Sequence, residues 1–139
     1  MGMRQRTYSP DSMLLAEISK AIIGEAQAYN FYEVLAELAP NDEDIKTIKS
    51  IQEDEAKHYN WFTMLLKGLR ELPRISAGEP PTDFKDGVRT AIHDELTANE
   101  FYLDISYRAI DPNIKMLFLY ASQDEQRHAT LLQNILMNL

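Results

Sequence analysis

Three side chains that carry metal chemistry recur in this chain at one fixed offset. Glu25, Glu55 and His58 return seventy positions later as Glu95, Glu125 and His128. The segment Asp54-Glu55-Ala56-Lys57-His58 is matched by Asp124-Glu125-Gln126-Arg127-His128. Apolar landmarks keep the same offset: Ala21-Ile22 with Ala91-Ile92, Ala28 with Ala98, and Phe31-Tyr32 with Phe101-Tyr102. Such a chain is expected to fold as two related halves about a pseudo-two-fold axis, with the shared polar residues at one level.

The periodicity around these residues is helical. In the first half, Leu14, Ile18, Ala21, Ile22, Ala28, Tyr32 and Leu35 form one stripe, and Ile45, Ile48, Ile51, Phe62, Leu65 and Leu66 form another. In the second half the stripes are Phe84, Val88, Ala91, Ile92, Ala98, Tyr102 and Ile105, then Ile114, Leu117, Phe118, Ala121, Leu132 and Ile135. Residues spaced three and four apart share a helix face, so each Glu and His above sits on an otherwise apolar stripe. Ser9-Pro10, Asn41, Thr82 and Asp111-Pro112 read as helix starts. The residue before Pro40 disfavours helix, and Gly68 is a stop signal. Four helices are expected, at about 10–39, 42–70, 83–110 and 112–137, in one all-α domain spanning 1–139. Gly87 inside the third helix should weaken it by ~1 kcal/mol against alanine.

Two of the connections are only a few residues, which makes the first and second helices antiparallel neighbours, and likewise the third and fourth. The middle connection, rich in proline, is longer. Fully extended it reaches ~35–50 Å, enough to cross helices of ~40 Å lengthwise. The expected fold is an antiparallel four-helix bundle in up-down-down-up order, with that long connection between helices 2 and 3.

Four carboxylates in a helical core cannot remain ionised alone, because each costs several kcal/mol to desolvate and they repel one another. No Lys or Arg lies on these stripes near their middle. Two divalent cations would neutralise four carboxylates, and two imidazoles would complete the set. One Glu from each of two helices, with Glu-x-x-His from each of the other two, is the ligand set of dinuclear carboxylate proteins built on helical bundles. Oxygen and imidazole donors suit iron or manganese, with zinc as a further occupant.

On Glu25, Glu55-x-x-His58, Glu95 and Glu125-x-x-His128 the chain resembles the ferritin-like superfamily, and within it the rubrerythrin-type di-iron domain, from about Ser9 onwards. The resemblance implies two iron ions bridged by Glu55 and Glu125. Glu25 and Glu95 would be terminal ligands, and His58 and His128 would complete one metal each. It implies that Tyr32 and Tyr102, two turns beyond Glu25 and Glu95, hydrogen-bond to ligand carboxylates; as core residues with satisfied hydroxyls they would look the same in sequence. It also pairs Asp54 with His128 and Asp124 with His58, positions that otherwise read as solvated helix-surface charges. Two departures stand out. Rubrerythrins carry a further Glu three residues after the helix-3 Glu, where this chain has Ala98, and no Cys-rich rubredoxin domain accompanies it. Electrons would then come from a separate donor.

The activity implied is an oxidoreductase reducing hydrogen peroxide or dioxygen. The alternatives are a ferroxidase or iron-storage protein, and a non-catalytic helical bundle that mediates interactions. The absence of cysteine excludes disulfides and thiolate metal sites, and fits a cytoplasmic location. The formal charge of −8 argues against binding nucleic acid or anionic membrane. The start has no apolar segment of a secretory signal, and no apolar run approaches the ~20 residues of a membrane span. His93 and Glu100 fall off the stripes and are expected at the surface. Met64, Met116 and Trp61 read as packing or interface residues. Exposed aromatics such as Tyr59, Trp61 and Tyr107 make a homo-oligomer, a dimer first, the expected assembly.

Overall fold

Capping chemistry sets where the helices begin. The computed structural model describes residues 12–139 and contains α1 (Ser12–Leu38), α2 (Asp42–Leu66), α3 (Phe84–Arg108) and α4 (Pro112–Met137). Asn41 is extended and its side-chain oxygen accepts the Asp44 N–H at 2.8 Å, capping α2 as expected. Asp111 caps α4 through the Asn113 N–H, also at 2.8 Å, with Pro112 next in line. The cap of α3 is Asp83 rather than Thr82: its carboxylate accepts the Asp86 N–H at 2.9 Å. A carboxylate gains from the positive helix end as well as from the hydrogen bond, so the acidic neighbour takes the position. The expected Ser9-Pro10 start lies outside the described residues.

The end of α2 also differs from expectation, falling at Leu66 instead of 70. Lys67 has φ −56° and ψ 130°, Gly68 has φ +82°, and the Leu69 N–H bonds the Leu66 carbonyl at 2.9 Å. This is a type II turn, whose third position needs the positive φ that glycine adopts freely. The chain turns away there, which leaves Leu69 and Leu72 exposed.

Cross-helix hydrogen bonds fix the directions. On α1 and α3, Tyr32 meets Glu95 and Tyr102 meets Glu25. On α2 and α4, Asp54 meets His128 and His58 meets Asp124. Rising residue numbers on one helix pair with falling numbers on the other, so both pairs are antiparallel. Gln52 on α2 bonds the Tyr29 carbonyl of α1 at 3.0 Å, and Asn99 on α3 bonds the Ser122 carbonyl of α4 at 2.7 Å, within the two hairpins. Helices α2 and α3 therefore run parallel, and the connection 67–83 crosses the bundle lengthwise, giving the up-down-down-up order. Midway it is pinned to α1, where Gln27 Nε2 donates to the Ser76 carbonyl at 3.1 Å and to its hydroxyl at 3.2 Å. The glycine inside α3 has a packing reason. A Cβ on Gly87 would stand 2.6 Å from Leu35 Cδ1 and 3.0 Å from Pro81 Cβ, so a larger residue would have to displace the Leu35 side chain and crowd the connection.

The core is two apolar clusters with a polar layer between them. One end holds Ile18, Ile22, Phe62, Leu66, Ile105 and Phe118; the other holds Leu35, Ile48, Ile51, Val88, Leu132 and Ile135. Tyr59 and Trp61, expected to be exposed, are half-buried against the first cluster, whereas Tyr107 is exposed. His93 and Glu100 lie at the surface, as do Met64 and Met116. Among the described residues no helix is long and apolar enough to cross a membrane.

Candidate metal centre

Each helix contributes to the middle layer. Glu25 comes from α1, Glu55 and His58 from α2, Glu95 from α3, and Glu125 and His128 from α4. All six are at most 3% exposed. The Glu and the His of each α2 and α4 pair are three residues apart and so face inward together.

The tyrosine and outer histidine contacts of this layer run between the halves. The Tyr32 hydroxyl donates to Glu95 Oε2 at 2.6 Å, and the Tyr102 hydroxyl donates to Glu25 Oε2. His58 Nε2 lies 2.8 Å from Asp124 Oδ2, and His128 Nε2 lies 2.8 Å from Asp54 Oδ2. An imidazole that gives its Nε2–H to a carboxylate keeps Nδ1 free as a donor atom for a metal, oriented by that outer contact. His58 Nδ1 stands 3.3 Å from Glu55 Oε1 and 3.5 Å from Glu125 Oε1, while His128 Nδ1 stands 3.2 Å from Glu125 Oε1 and 3.3 Å from Glu95 Oε1.

Electrostatics in the metal-free layer are strained. Burial, followed by repulsion from Glu25, Glu125 and Glu95, pushes Glu55 well above the ordinary carboxylate range. Glu125 is raised in the same way, by burial and then by Glu25 and Glu95. Burial and the neighbouring Glu95 and Glu25 likewise raise the Tyr32 and Tyr102 hydroxyls, so both remain proton donors. Burial disfavours a charge on His58, but the hydrogen bond with Asp124 and the Glu25 carboxylate outweigh it and lift the imidazole to about 9. Burial works against the charge of Asp124 too, yet His58 and Lys57 hold it well below the usual range.

The donor atoms fall into two groups. Glu25, Glu55, His58 and Glu125 form one, and Glu55, Glu95, Glu125 and His128 form the other, each with one atom per residue within 4.8 Å of the rest. Glu55 and Glu125 belong to both. Among the buried polar atoms left without a hydrogen-bond partner are Glu25 Oε1, Glu55 Oε1, Glu125 Oε1 and His58 Nδ1. Orphaned buried acceptors normally cost ~1–3 kcal/mol each, and more when charged. Four such atoms converging on one layer fit cations shared by the cluster.

Some participants carried a weaker signal in the sequence. Lys57 and Arg127 cover the two histidine–aspartate pairs from outside. Lys57 Nζ is 3.1 Å from Asp124 and 3.5 Å from Asp54, and Arg127 is 3.0 Å from Asp54 and 3.2 Å from Asp124. The signal for them was the repeat itself, which places a basic residue just before each His. Buried Gln52 and Ser122 also share the offset, each four residues after a stripe residue (Ile48, Phe118) and three before a ligand glutamate.

Comparison with known proteins agrees with this geometry. The family profile described as rubrerythrin matches residues 17–136. A Bacillus subtilis (strain 168) protein named uncharacterized protein YhjR is 36% identical over 125 residues, which cover 88% of this chain and 86% of the relative. Among solved structures, a hypothetical protein from Pyrococcus furiosus superposes with a TM-score of 0.78 at 24% identity, over 89% of this chain and 88% of its own. A two-domain protein from Anabaena variabilis, containing DJ-1/ThiJ/PfpI-like and ferritin-like domains, gives a TM-score of 0.75 at 15% identity. The match covers 90% of this chain and 39% of that one. The profile match across nearly all of the described residues places the chain in the rubrerythrin family, and the structural likenesses show the fold alone, a ferritin-like four-helix bundle.

Proposed function

We propose that this protein holds two metal ions in its middle layer and acts as an oxidoreductase. Glu55 and Glu125 are shared by both positions, Glu25 and His58 complete one, and Glu95 and His128 complete the other. The observation that carries this reading is the pair of four-residue donor groups that have Glu55 and Glu125 in common. Oxygen and imidazole donors favour iron, with manganese or zinc as alternative occupants. Bound iron would supply the electron-transfer chemistry that reduces hydrogen peroxide or dioxygen, with an external donor replacing the electrons.

The chain's own groups prepare the site. Tyr32 and Tyr102 tether one oxygen of Glu95 and of Glu25; the second oxygen of Glu25 is unpartnered, and that of Glu95 faces His128 Nδ1 at 3.3 Å. Asp54 and Asp124 hold the imidazoles in the tautomer that presents Nδ1 inward. The apolar clusters close the two ends of the layer.

Anaerobic addition of ferrous iron to metal-free protein, followed by elemental analysis, is expected to find two ions per chain, one for each donor group. Stopped-flow mixing should then produce ferric absorption faster with peroxide than with air. A chain that retains no metal, or a loaded chain that reacts with neither oxidant, would overturn the assignment.

A further inference from the structure

The two faces of the middle layer are unequal. Between α1 and α2 a cavity of about 300 Å³ opens to solvent, lined by Glu25, Ala26, Tyr29, Ala56, Tyr59 and Asn60. Most of its wall is apolar, and two aromatic rings contribute to it. One of its liners, Glu25, is 1% exposed and has an unpartnered Oε1.

Carried through the repeat, the same positions on the other face are Glu95, Leu96, Asn99, Gln126, Ala129 and Thr130. Ala26 and Ala56 are replaced by the longer, exposed Leu96 and Gln126, while Tyr59 gives way to the smaller Ala129. Asn99, in the place of Tyr29, spends its side chain bonding α3 to the Ser122 carbonyl of α4 at 2.7 Å. Helices α3 and α4 are also in closer contact along their length than α1 and α2. The repeat thus keeps both glutamates but not the two alanines beside them.

The cavity's volume is more than the proposed oxidants require. Hydrogen peroxide and dioxygen have only two heavy atoms, whereas ~300 Å³ is where small-molecule sites begin. Apolar walls with tyrosine rings favour a flat apolar body over a charged one.

We propose that the α1–α2 cavity docks a small neutral organic molecule, about the size of one aromatic ring, beside the metal position completed by Glu25 and His58. At the matching positions of the α3–α4 face, Leu96 and Gln126 stand in place of the two alanines. This rests on the two-metal reading, so its test reports on the two separately.

The probe is para-fluorophenol, followed by fluorine NMR with manganese-loaded protein and with zinc-loaded protein as the diamagnetic reference. Manganese content is measured for every sample. Wild-type protein is expected to broaden the probe signal with manganese and not with zinc. Ala56→Gln and Ala26→Leu, which import the longer residues of the α3–α4 face, should abolish that broadening while retaining manganese. Ala56→Gln introduces the residue that the repeat already carries at the matching helix position, so it tests the idea even if Ala26→Leu folds poorly. Leu96→Ala should leave the broadening unchanged. A chain that takes up no manganese would overturn the two-metal reading. Full manganese without broadening, or broadening that survives Ala56→Gln, would overturn the pocket.

Discussion

At one end of the core Phe62 and Phe118 stack with ring centres 4.3 Å apart and planes 6° from parallel, and Tyr102 meets both edge-on at 5.2 and 5.4 Å. At the other end the repeat-related positions hold Leu132, Ile48 and Tyr32, so the aromatic stack is replaced by branched aliphatic packing. Between the ends, Glu answers Glu, His answers His, and each Tyr reaches the opposite half's carboxylate. Packing asks only for volume and shape, which many side-chain sets can supply. A donor atom in a buried polar layer must be the right element at the right point. The ends were therefore free to diverge, while the layer was held to its chemistry.

The largest effect that can break this comparison is truncation at equivalent core positions. Phe62→Ala is expected to cost about 3–5 kcal/mol and Leu132→Ala about 2–5 kcal/mol. Loss of the aromatic pair, worth a further ~0.5–1.5 kcal/mol, puts Phe62→Ala ahead. Urea unfolding of the metal-free variants measures both, and equal costs would mean that the stack adds nothing to the end that contains it.

A smaller effect tests the sameness of the layer. Asp54→Asn and Asp124→Asn should each weaken metal affinity by about 10–100-fold, since each aspartate orients one ligand imidazole. Competition titration with a chelator reads this directly. A loss confined to one variant would show that the two half-sites are not equivalent.

The smallest effect is a pH trend that comes from the layer, where His58, Glu55 and Glu125 are all raised. His58 is raised from 6.5 to about 9 in the folded chain, and Glu55 and Glu125 are raised as well. A raised folded value stabilises at low pH and loses that contribution as pH climbs through it. The metal-free protein should therefore melt at lower temperature as pH rises from near 6.5 toward 9. Metal affinity should move the other way, because the donors must shed protons to bind. Calorimetry across this window, with and without metal, separates the two slopes. A metal-free melting temperature that rises across the window would contradict the assignment of these shifts.

The four helices were legible because the stripes at Ile18–Leu35, Ile48–Leu66, Val88–Ile105 and Ile114–Ile135 kept one period, and because Asn41 and Asp111 announced their caps. The crossing connection followed from its length. Glu25, Glu55, His58, Glu95, Glu125 and His128 could be picked out because a charge on an apolar stripe is rare enough to stand out. What could not be read depended on particular backbone geometry. Gly68 looked like a stop signal, but only its positive φ shows that the helix has already ended at Leu66. Thr82 and Asp83 are both good caps, and the helix start decides between them. Gly87 looked like a defect until Leu35 was found against it. The cavity beside Glu25 depends on two alanines, and small residues leave no signature in a hydrophobic pattern.

The exchange of contacts across the repeat has a consequence for assembly. Glu25 relies on Tyr102, Glu95 on Tyr32, His58 on Asp124 and His128 on Asp54. Neither hairpin supplies these four contacts by itself, so each half is an open clasp that closes on the other. The strap at 67–83 supplies that partner within one chain and makes the encounter intramolecular. Shortening the strap until it can no longer run the length of the bundle would leave the clasp the same chemistry to satisfy, and the partner would then come from a second molecule, as an exchanged dimer.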